Sequence, residues 1–417
     1  GIFYAGSALY ILWLVLFLNR RRALDYKRFQ HSSANQGNIV QLINGMQEIK
    51  LNNCERRKRW EWERIQAQLF KVSVKSLTLT QTQQVGSMFI DQAKNIAISF
   101  LAAKAVIDGN MTLGMMVAMQ YIIGQLNAPL QQFIGFVQEA QDAKISLERL
   151  AEIHVKPDEE TADDGRIKEM PAAGISIKNL TFQYEGSHSE KVLNNVSLEI
   201  PRNKITAIVG MSGSGKSTLI KLLLGFYKPT QGEILINGVP LDKYSPSAWR
   251  ACCGTVMQEG YIFSDTIAAN IGISDESIDE KKLIAALETA NIKEFVDSLP
   301  MGINTKIGVE GHGLSSGQKQ RILIARSVYK NPSFLLFDEA TNALDSTNEQ
   351  AIVNNLQDFF QDRTVVVVAH RLSTIKNAHQ IVVLRKGIVT ESGTHQQLLA
   401  NRGVYYDLVK DQLELAN

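Results

Sequence analysis

The sequence predicts an α-helical membrane domain followed by an α/β domain. Residues 1–18 carry no charge, and an apolar run of this length is about sufficient for one membrane-spanning helix. From about residue 174, short strands rich in Val, Ile and Leu alternate with polar helices and many glycines, which is typical of an α/β fold. The chain has 417 residues, enough for two or three domains.

Composition excludes several classes of function. The formal net charge is only +2, so the overall charge does not indicate a nucleic-acid partner. The sequence contains three cysteines, Cys54, Cys252 and Cys253, which cannot form a disulfide framework and indicate a reducing compartment. Neither Cys-x-x-Cys nor His-x-x-x-His spacing accompanies them, so we expect no metal site built on these cysteines.

The first span is predicted at residues 1–18, directly before Asn19 and the basic cluster Arg20–Arg22. A secretory signal peptide would place its positive charge before the apolar run. Positive charge after the run indicates instead that the C-terminal end of the span faces the cytoplasm. The sequence starts inside this apolar run, and we expect a fragment that has lost earlier sequence.

The second span is predicted at residues 88–107 and contains Asp91, Lys94 and Lys104. Each charge near the centre of a membrane costs about 2.5–3.5 kcal/mol on insertion scales, so these charges must be accommodated. Asp91 and Lys94 are three positions apart and share a helix face. They pair facing the bundle interior, or they lie in the cytoplasmic entrance. A polar lining of a substrate path is the functional alternative to simple structural pairing. Lys104 can extend towards the membrane surface.

The third span is predicted at residues 113–137, after a short turn at residues 108–110. It is uncharged but rich in amides, namely Gln120, Gln125, Asn127, Gln131 and Gln132. Packing between helices and a polar cavity wall both explain such amides. Three spans return the chain to the cytoplasm, so we expect an integral protein of the cell (inner) membrane, in contact with lipid, with a cytoplasmic second domain.

A long polar region separates the first two spans. Its helical periodicity over residues 31–84 predicts long helices that extend into the cytoplasm. Gly45 and the pair Asn52–Asn53 predict a bend, with a short helix at its tip, over residues 44–55. The charge run at residues 56–64 is typical of a solvated helix face.

The domain limits follow from one change in composition. Residues 155–173 are acidic, contain Pro and Gly and lack periodicity, so we interpret them as a linker. The predicted domains are therefore residues 1–154 and 174–417.

A glycine-rich loop follows the apolar stretch Ile205–Val209, which predicts a buried strand, and precedes a helix. Strand, glycine loop and helix are the context that a phosphate-binding P-loop requires, because backbone N–H groups and the helix N-terminus face the phosphates. Lys216 is expected to contact the β- and γ-phosphates, and Ser217 to bind Mg²⁺. The residues expected to bind the nucleotide here are Gly210, Ser212, Gly213, Ser214, Gly215, Lys216, Ser217 and Thr218.

Two adjacent carboxylates end a second predicted strand. The apolar residues of the stretch at 333–337 are followed by Asp338 and Glu339. Asp338 suits Mg²⁺, directly or through water, and Glu339 suits a general base that polarises an attacking water. The structural alternative is a helix cap.

A third motif, "LSSGQKQR" at residues 314–321, precedes the apolar helix "ILIARSVY". Its Ser-Ser-Gly turn places free N–H groups at a helix start, which makes it a second end able to face phosphate.

The order P-loop, Gln258, "LSSGQ", Asp338–Glu339 and His370 resembles the ATP-binding cassette (ABC) family over residues 174–417. This resemblance implies an α/β P-loop NTPase of the ABC type with a helical signature subdomain, and ATP and Mg²⁺ as ligands. It implies that Tyr184 stacks on adenine, that Gln258 touches Mg²⁺ and water, and that His370 contacts the γ-phosphate. The remaining expected nucleotide contacts are Ser315, Ser316, Gly317 and Gln318 of the signature loop and Asp345 of the D-loop.

The resemblance also implies a dimer. In this family the signature loop closes over ATP held by a second cassette, so the expected partner is a second copy or a homologous half-transporter. Ser316 replaces the usual glycine and Asn342 the usual serine, and both are mild departures. Glu339 is present, so a hydrolytic site is expected.

Membrane helices fused ahead of a cassette resemble the exporter branch, with these spans as the last three of six and residues 44–55 as a coupling helix. "GMQEIKLNNCE", "WEWERIQAQLFK" and "KISLERLAEIH" resemble the peptidase-containing peptide exporters of the bacteriocin type. A lipid or multidrug exporter is the alternative. A soluble regulatory or DNA-repair ATPase and a non-enzymatic membrane scaffold remain as hypotheses of other classes.

Overall fold

The computed structural model describes residues 2–161, 165–186, 190–308, 311–340, 346–369 and 375–415. The chain divides into two compact units, Gly1–Lys156 and Pro157–Asn417. The first unit is helical, and its helices are α1 (Ile2–Asn44), α2 (Met46–Leu51), α3 (Glu55–Ile107) and α4 (Leu113–His154).

Polar contacts join α1 and α3 along their length. The Asn35 side-chain oxygen accepts hydrogen bonds from Trp62 Nε1 at 3.1 Å and from Gln66 Nε2 at 2.8 Å. Nearer the N-terminus of α1, Trp13 Nε1 donates to the Gln83 carbonyl at 3.1 Å. The two long helices therefore pack with specific pairs rather than by apolar contact alone.

The charge run at the start of α3 lies on an exposed face. Arg57 and Lys58 both pair with Glu61, and Arg59 pairs with Glu63 at 2.7 Å. These are intrahelical pairs at spacings of three and four residues. This arrangement agrees with the solvated face that the sequence predicts.

The charges of the second predicted span pair with each other. Lys94 Nζ lies 2.6 Å from Asp91 Oδ1. Lys94 is 6% exposed and lies against α1, where its ammonium is 4.8 Å from the centre of the Phe3 ring and a Cβ at Gly6 would touch its side chain. The structure shows the pairing of these charges, and the polar path for a substrate stays a hypothesis from the sequence.

Within the described residues, one helix is long and apolar enough to cross a membrane, over Phe3–Asn44. A shorter apolar helix covers Leu113–Leu126. The spans at 88–107 and 113–137 stay predictions from the sequence.

In the described part of the second unit, three sheets are surrounded by helices. A four-stranded sheet has the order β2-β1-β4-β5, a six-stranded sheet β12-β11-β3-β10-β9-β6, and a two-stranded sheet β7-β8. The strands are β1 (Ile175–Phe182), β2 (Leu193–Ile200), β3 (Ile205–Val209), β4 (Gln231–Ile236), β5 (Val239–Pro240), β6 (Cys253–Val256), β7 (Asp265–Thr266), β8 (Lys306–Ile307), β9 (Phe334–Asp338), β10 (Thr364–Val368), β11 (Gln380–Arg385) and β12 (Ile388–Gly393). The helices are α5 (Lys216–Leu223), α6 (Pro246–Cys252), α7 (Ile267–Ile271), α8 (Glu280–Thr289), α9 (Lys293–Ser298), α10 (Ser316–Tyr329), α11 (Ser346–Phe360), α12 (His395–Asn401) and α13 (Val404–Leu415).

The six-stranded sheet separates two apolar cores. Along β9, Leu335 and Phe337 belong to one core and Phe334 and Leu336 to the other. This alternation is the period of two expected of a strand, and both faces are covered, which explains the near-continuous apolar sequence.

Strand direction positions the candidate site. β3, β10, β9 and β6 run parallel to their neighbours, so their carboxyl ends lie at one edge of the sheet. The glycine loop follows β3, Asp338 ends β9, and Gln258 follows β6 after one intervening residue. Ligands of open α/β sheets bind at this edge.

Trp249 connects α6 to the helix after the glycine loop. It is 2% exposed, its Nε1 donates to the Leu223 carbonyl at 2.8 Å, and its ring lies 4.8 Å from the Phe334 ring, centre to centre.

We expect Trp249→Phe to cost about 1–2 kcal/mol and to lower the Tm of the second unit by about 3–6 °C in detergent calorimetry, because the Leu223 carbonyl loses its donor. Trp60→Phe, at an exposed position of α3, is the control. Equal Tm values for the two variants would contradict this role of the hydrogen bond.

Candidate nucleotide-binding site

The glycine loop wraps tightly against neighbouring backbone. Gly215 has φ +100° and lies so close to Leu193 that a Cβ would be 2.7 Å from its side chain. A Cβ at Gly210 would lie 2.1 Å from the Leu384 carbonyl oxygen. Only glycine fits these two positions, because one needs a left-handed backbone and the other a close approach.

Lys216 is held inside this loop. Its Nζ donates to the carbonyls of Gly210 at 2.9 Å and Met211 at 3.0 Å. The residue is 5% exposed, and burial lowers the pKa of its ammonium, although Glu339 and Asp338 act in the opposite direction. The loop therefore holds a desolvated cation at the start of α5, where the helix dipole also favours an anion.

Tyr184 lies beside the same helix. Its hydroxyl is 3.0 Å from Thr218 Oγ1, and Thr218 is buried. The Tyr184 ring meets the Phe182 and Tyr227 rings edge to face, at 5.0 and 5.3 Å between centres. The structure thus brings the expected adenine-stacking residue to the glycine-loop helix, within a cluster of three aromatic rings.

Asp338 is a buried carboxylate with spare capacity for a ligand. It is 1% exposed, and its Oδ1 lacks a hydrogen-bond partner in the described part of the chain, as does the buried Oγ of Ser214. Burial raises the pKa of Asp338, while a hydrogen bond from Ser217 lowers it. The Asp338 carboxylate and the Ser217 hydroxyl are oxygen ligands of the kind that Mg²⁺ prefers, so these two residues fit a magnesium site.

Glu339 adopts a strained backbone that two contacts stabilise. Its φ is +53°, in the left-handed region that costs a non-glycine residue roughly 1–3 kcal/mol. Its N–H donates to the Val368 carbonyl at 3.1 Å, and its carbonyl accepts from Gln320 Nε2 at 2.9 Å. The backbone of the expected general base is therefore fixed by β10 and α10.

Gln320 is the site residue that the sequence reasoning missed. It is 9% exposed and lies one helical turn after Ser316 on α10. A signal was present, because a glutamine on the same helix face as the signature motif, inside a helix with apolar neighbours, requires a buried polar partner.

Two backbone N–H groups of the signature loop donate hydrogen bonds within the loop itself. The Ser315 hydroxyl accepts from the Gln318 N–H at 3.1 Å, and the Gln318 side chain accepts from the Ser315 N–H at 2.8 Å. This reciprocal arrangement is a capping box. In this structure the side chains of Ser315 and Gln318 thus serve the helix start, and the N–H groups of Ser316 and Gly317 follow as the next donors.

Gln258 is exposed in the turn after β6. Val256 of β6 pairs with Phe337 of β9, which places Gln258 at the same sheet edge as Asp338. His370 and Asp345 lie outside the described residues, as does Asn342. The roles assigned to these side chains stay predictions.

Comparison with known proteins identifies the family. Residues 193–342 match the family model for ABC transporters. Over 399 residues the chain is 37% identical to a leukotoxin export ATP-binding protein of Aggregatibacter actinomycetemcomitans, covering 95% of this chain and 56% of that protein. The chain belongs to the ABC transporter family.

Further comparisons extend the likeness of this ABC transporter chain to both units. A leukotoxin translocation ATP-binding protein of Mannheimia haemolytica is 37% identical over 408 residues, covering 97% of this chain and 57% of that protein. A solved structure of a bacterial Atm1-family ABC exporter with ATP bound superposes with a TM-score of 0.92 and 28% identity, over 99% of this chain and 72% of that one. The fold is that of an ABC exporter, and the chain spans somewhat more than half the length of these curated relatives.

The buried carboxylate of Asp338 suits a ligand but is expected to lower the free energy of unfolding of this ABC transporter chain. Because burial raises the pKa of Asp338, its ionisation destabilises the nucleotide-free fold above that pKa, and the penalty disappears as the pH falls below the unfolded value. We expect Asp338→Asn to stabilise the nucleotide-free protein by about 0.5–2 kcal/mol at pH 7, with a smaller gain towards pH 4.

Thermal unfolding at both pH values measures this gain. Asp242→Asn, at an exposed acidic position, is the matched control and should change Tm little at either pH. A lower Tm for Asp338→Asn at pH 7 would show that the carboxylate is stabilised by its neighbours, against this expectation.

Proposed function

We propose that the chain is the ATP-hydrolysing part of a membrane exporter that moves a polypeptide out of the cytoplasm. The observation that carries this proposal is the convergence of the glycine loop, Asp338 and Glu339 at one sheet edge, in a chain whose first unit is a bundle of long helices. The similarity to exporters covers both units.

ATP is the proposed ligand of the glycine loop. Lys216, which is desolvated by burial, would contact the β- and γ-phosphates, and the loop N–H groups would donate hydrogen bonds to the remaining phosphate oxygens. The Tyr184 ring would stack on the adenine. Ser217, Asp338 and Gln258 would hold Mg²⁺, which neutralises charge on the phosphate oxygens when bound.

Glu339 is the proposed general base. Its backbone is held by Val368 and Gln320 directly after β9, at the sheet edge where the attacking water would lie. His370 would contact the γ-phosphate. In this arrangement the protein orients water, accepts its proton and stabilises the phosphate charge, which are the contributions that phosphoryl transfer requires.

The proposed assembly is a dimer with a second copy or a homologous half-transporter. Ser315, Ser316, Gly317 and Gln318, together with Asp345, would contact ATP held by the partner cassette. The proposed spans are residues 1–18, 88–107 and 113–137, in the cell (inner) membrane, with the second unit in the cytoplasm. Closure of the two cassettes on ATP would move the membrane helices.

The first test replaces the proposed base. Glu339→Gln should retain ATP binding but lower kcat for ATP hydrolysis by about 10²-fold or more, because the amide cannot accept the proton. Purified protein in detergent, with Mg²⁺ and ATP, supplies both readouts. Glu280→Gln, at an exposed position of α8, should hydrolyse ATP at the parent rate. Normal turnover in Glu339→Gln would refute the assigned base.

The second test concerns the substrate class. The relatives are described as leukotoxin export and translocation proteins, and polypeptide is the proposed cargo here. In phospholipid vesicles, a chemically unfolded polypeptide should raise the ATPase rate more than an apolar dye or added lipid does. Stimulation by the dye or lipid alone would favour the multidrug or lipid exporter instead.

A further inference from the structure

The acidic segment that begins the second unit is bound to the rest of that unit rather than slack. Arg250 of α6 donates from Nη1 to Glu159 Oε1 at 2.8 Å and from Nη2 to Glu159 Oε2 at 2.6 Å. Two parallel charge-assisted hydrogen bonds are the strongest form of such a pair, and they fix orientation as well as distance. This contact lowers the pKa of the Glu159 carboxyl, which is therefore ionised at neutral pH.

Glu160 binds the beginning of the same helix. Its carboxylate accepts from the Ser245 hydroxyl and from the Ser247 N–H at 3.2 Å. Ser245 is 1% exposed and precedes the first residue of α6. A carboxylate at this end satisfies orphan N–H groups and complements the helix dipole. The Ser245 hydrogen bond is also the main cause of a lowered pKa at Glu160.

A backbone contact extends the attachment. The Ile167 N–H donates to the Lys243 carbonyl at 2.9 Å, and the Ile167 carbonyl accepts from the Ser245 N–H at 2.9 Å. Side-chain and backbone contacts from both ends of residues 159–167 thus meet around α6. We call residues 159–167 the strap; its residues 162–164 lie outside the described part of the chain.

Helix α6 leads directly to the nucleotide site. It ends at Cys252, and β6 starts at Cys253 with no intervening loop. β6 ends at Val256, and Gln258 lies in the turn that follows. A displacement of α6 along its axis would therefore shift β6. The turn after β6 carries Gln258, the residue proposed to touch Mg²⁺ and water.

Helix α6 is also joined to the signature helix. Lys330, which caps the C-terminus of α10, donates from Nζ to the carbonyls of Cys253, at 2.9 Å, and Arg250. The signature loop lies at the other end of α10. Arg250 therefore binds the strap through its side chain and the signature helix through its carbonyl.

We propose that Glu159 and Glu160 are positioning residues, which anchor α6 and through it set the Gln258 turn and the end of the signature helix. This inference rests on the proposed function. Glu159 follows His154, the last residue of α4, by only five positions. A segment bound to α6 by two carboxylates restrains that helix, whereas a slack segment would reorient by bond rotation.

The experiment compares Glu159→Ala/Glu160→Ala with the parent chain reconstituted in phospholipid vesicles. Hydrogen exchange of the nucleotide-free protein should become faster over residues 245–252 and over the Gln258 turn. The kcat for ATP hydrolysis should fall about threefold or more, with KM for ATP within about twofold, because the site is mispositioned rather than removed.

Two further variants separate positioning from general damage. Asp158→Ala/Glu169→Ala removes the same charge from exposed positions of the same segment and should match the parent in both readouts. Glu159→Arg/Arg250→Glu reverses the ion pair and should recover at least about half of the kcat that Arg250→Glu alone loses. If Arg250→Glu lowered kcat only through a general structural effect of the changed charge, the reversed pair would not restore kcat.

Unchanged exchange over α6 in Glu159→Ala/Glu160→Ala would overturn the proposal, as would faster exchange with unchanged kcat. Failure of the reversed pair to recover kcat would also overturn it. Absence of ATP hydrolysis in the parent would instead overturn the proposed function, and exchange over residues 245–252 and the Gln258 turn would still decide whether the two glutamates hold α6.

Discussion

The parallel alignment of β3, β10, β9 and β6 is the constraint on which the candidate site depends. Parallel neighbours end at the same edge of a sheet, so residues that are distant in sequence arrive together there. The glycine loop follows one strand, Asp338 ends another, and Gln258 follows a third. Apolar cores on both faces hold the strands in register, because a slip of one residue would turn each apolar set to the wrong face.

Three features of the candidate site are unfavourable for the stability of the fold. Asp338 is buried, and one of its oxygens has no hydrogen-bond partner among the described residues. Lys216 is desolvated, and Glu339 has a left-handed backbone. Each feature costs stability alone, and each is suited to a phosphate group carrying a divalent cation. The surrounding contacts, including Gln320 to Glu339 and Lys216 to its loop, keep the groups in place.

Polar contacts also organise the helical unit. Asn35 binds two side chains of α3, and the Asp91–Lys94 pair lies against α1. The Asp91–Lys94 pair lies in the second predicted span, where apolar packing in lipid would provide little driving force between helices, so polar pairs and close approaches provide specificity there. The same residues that weaken the second predicted span on a hydropathy scale therefore join α3 to its neighbour.

The sequence alone determined the features that depend on near neighbours. The glycine loop and the strand that ends in Asp338 and Glu339 each lie within a few residues, so spacing and side-chain chemistry specify them. Tertiary structure alone decided the contacts of Gln320 with Glu339, of Glu159 with Arg250, and of Lys94 with α1. These partners are brought together by strand order and helix packing, which depend on the summed burial of many apolar side chains rather than on any local pattern.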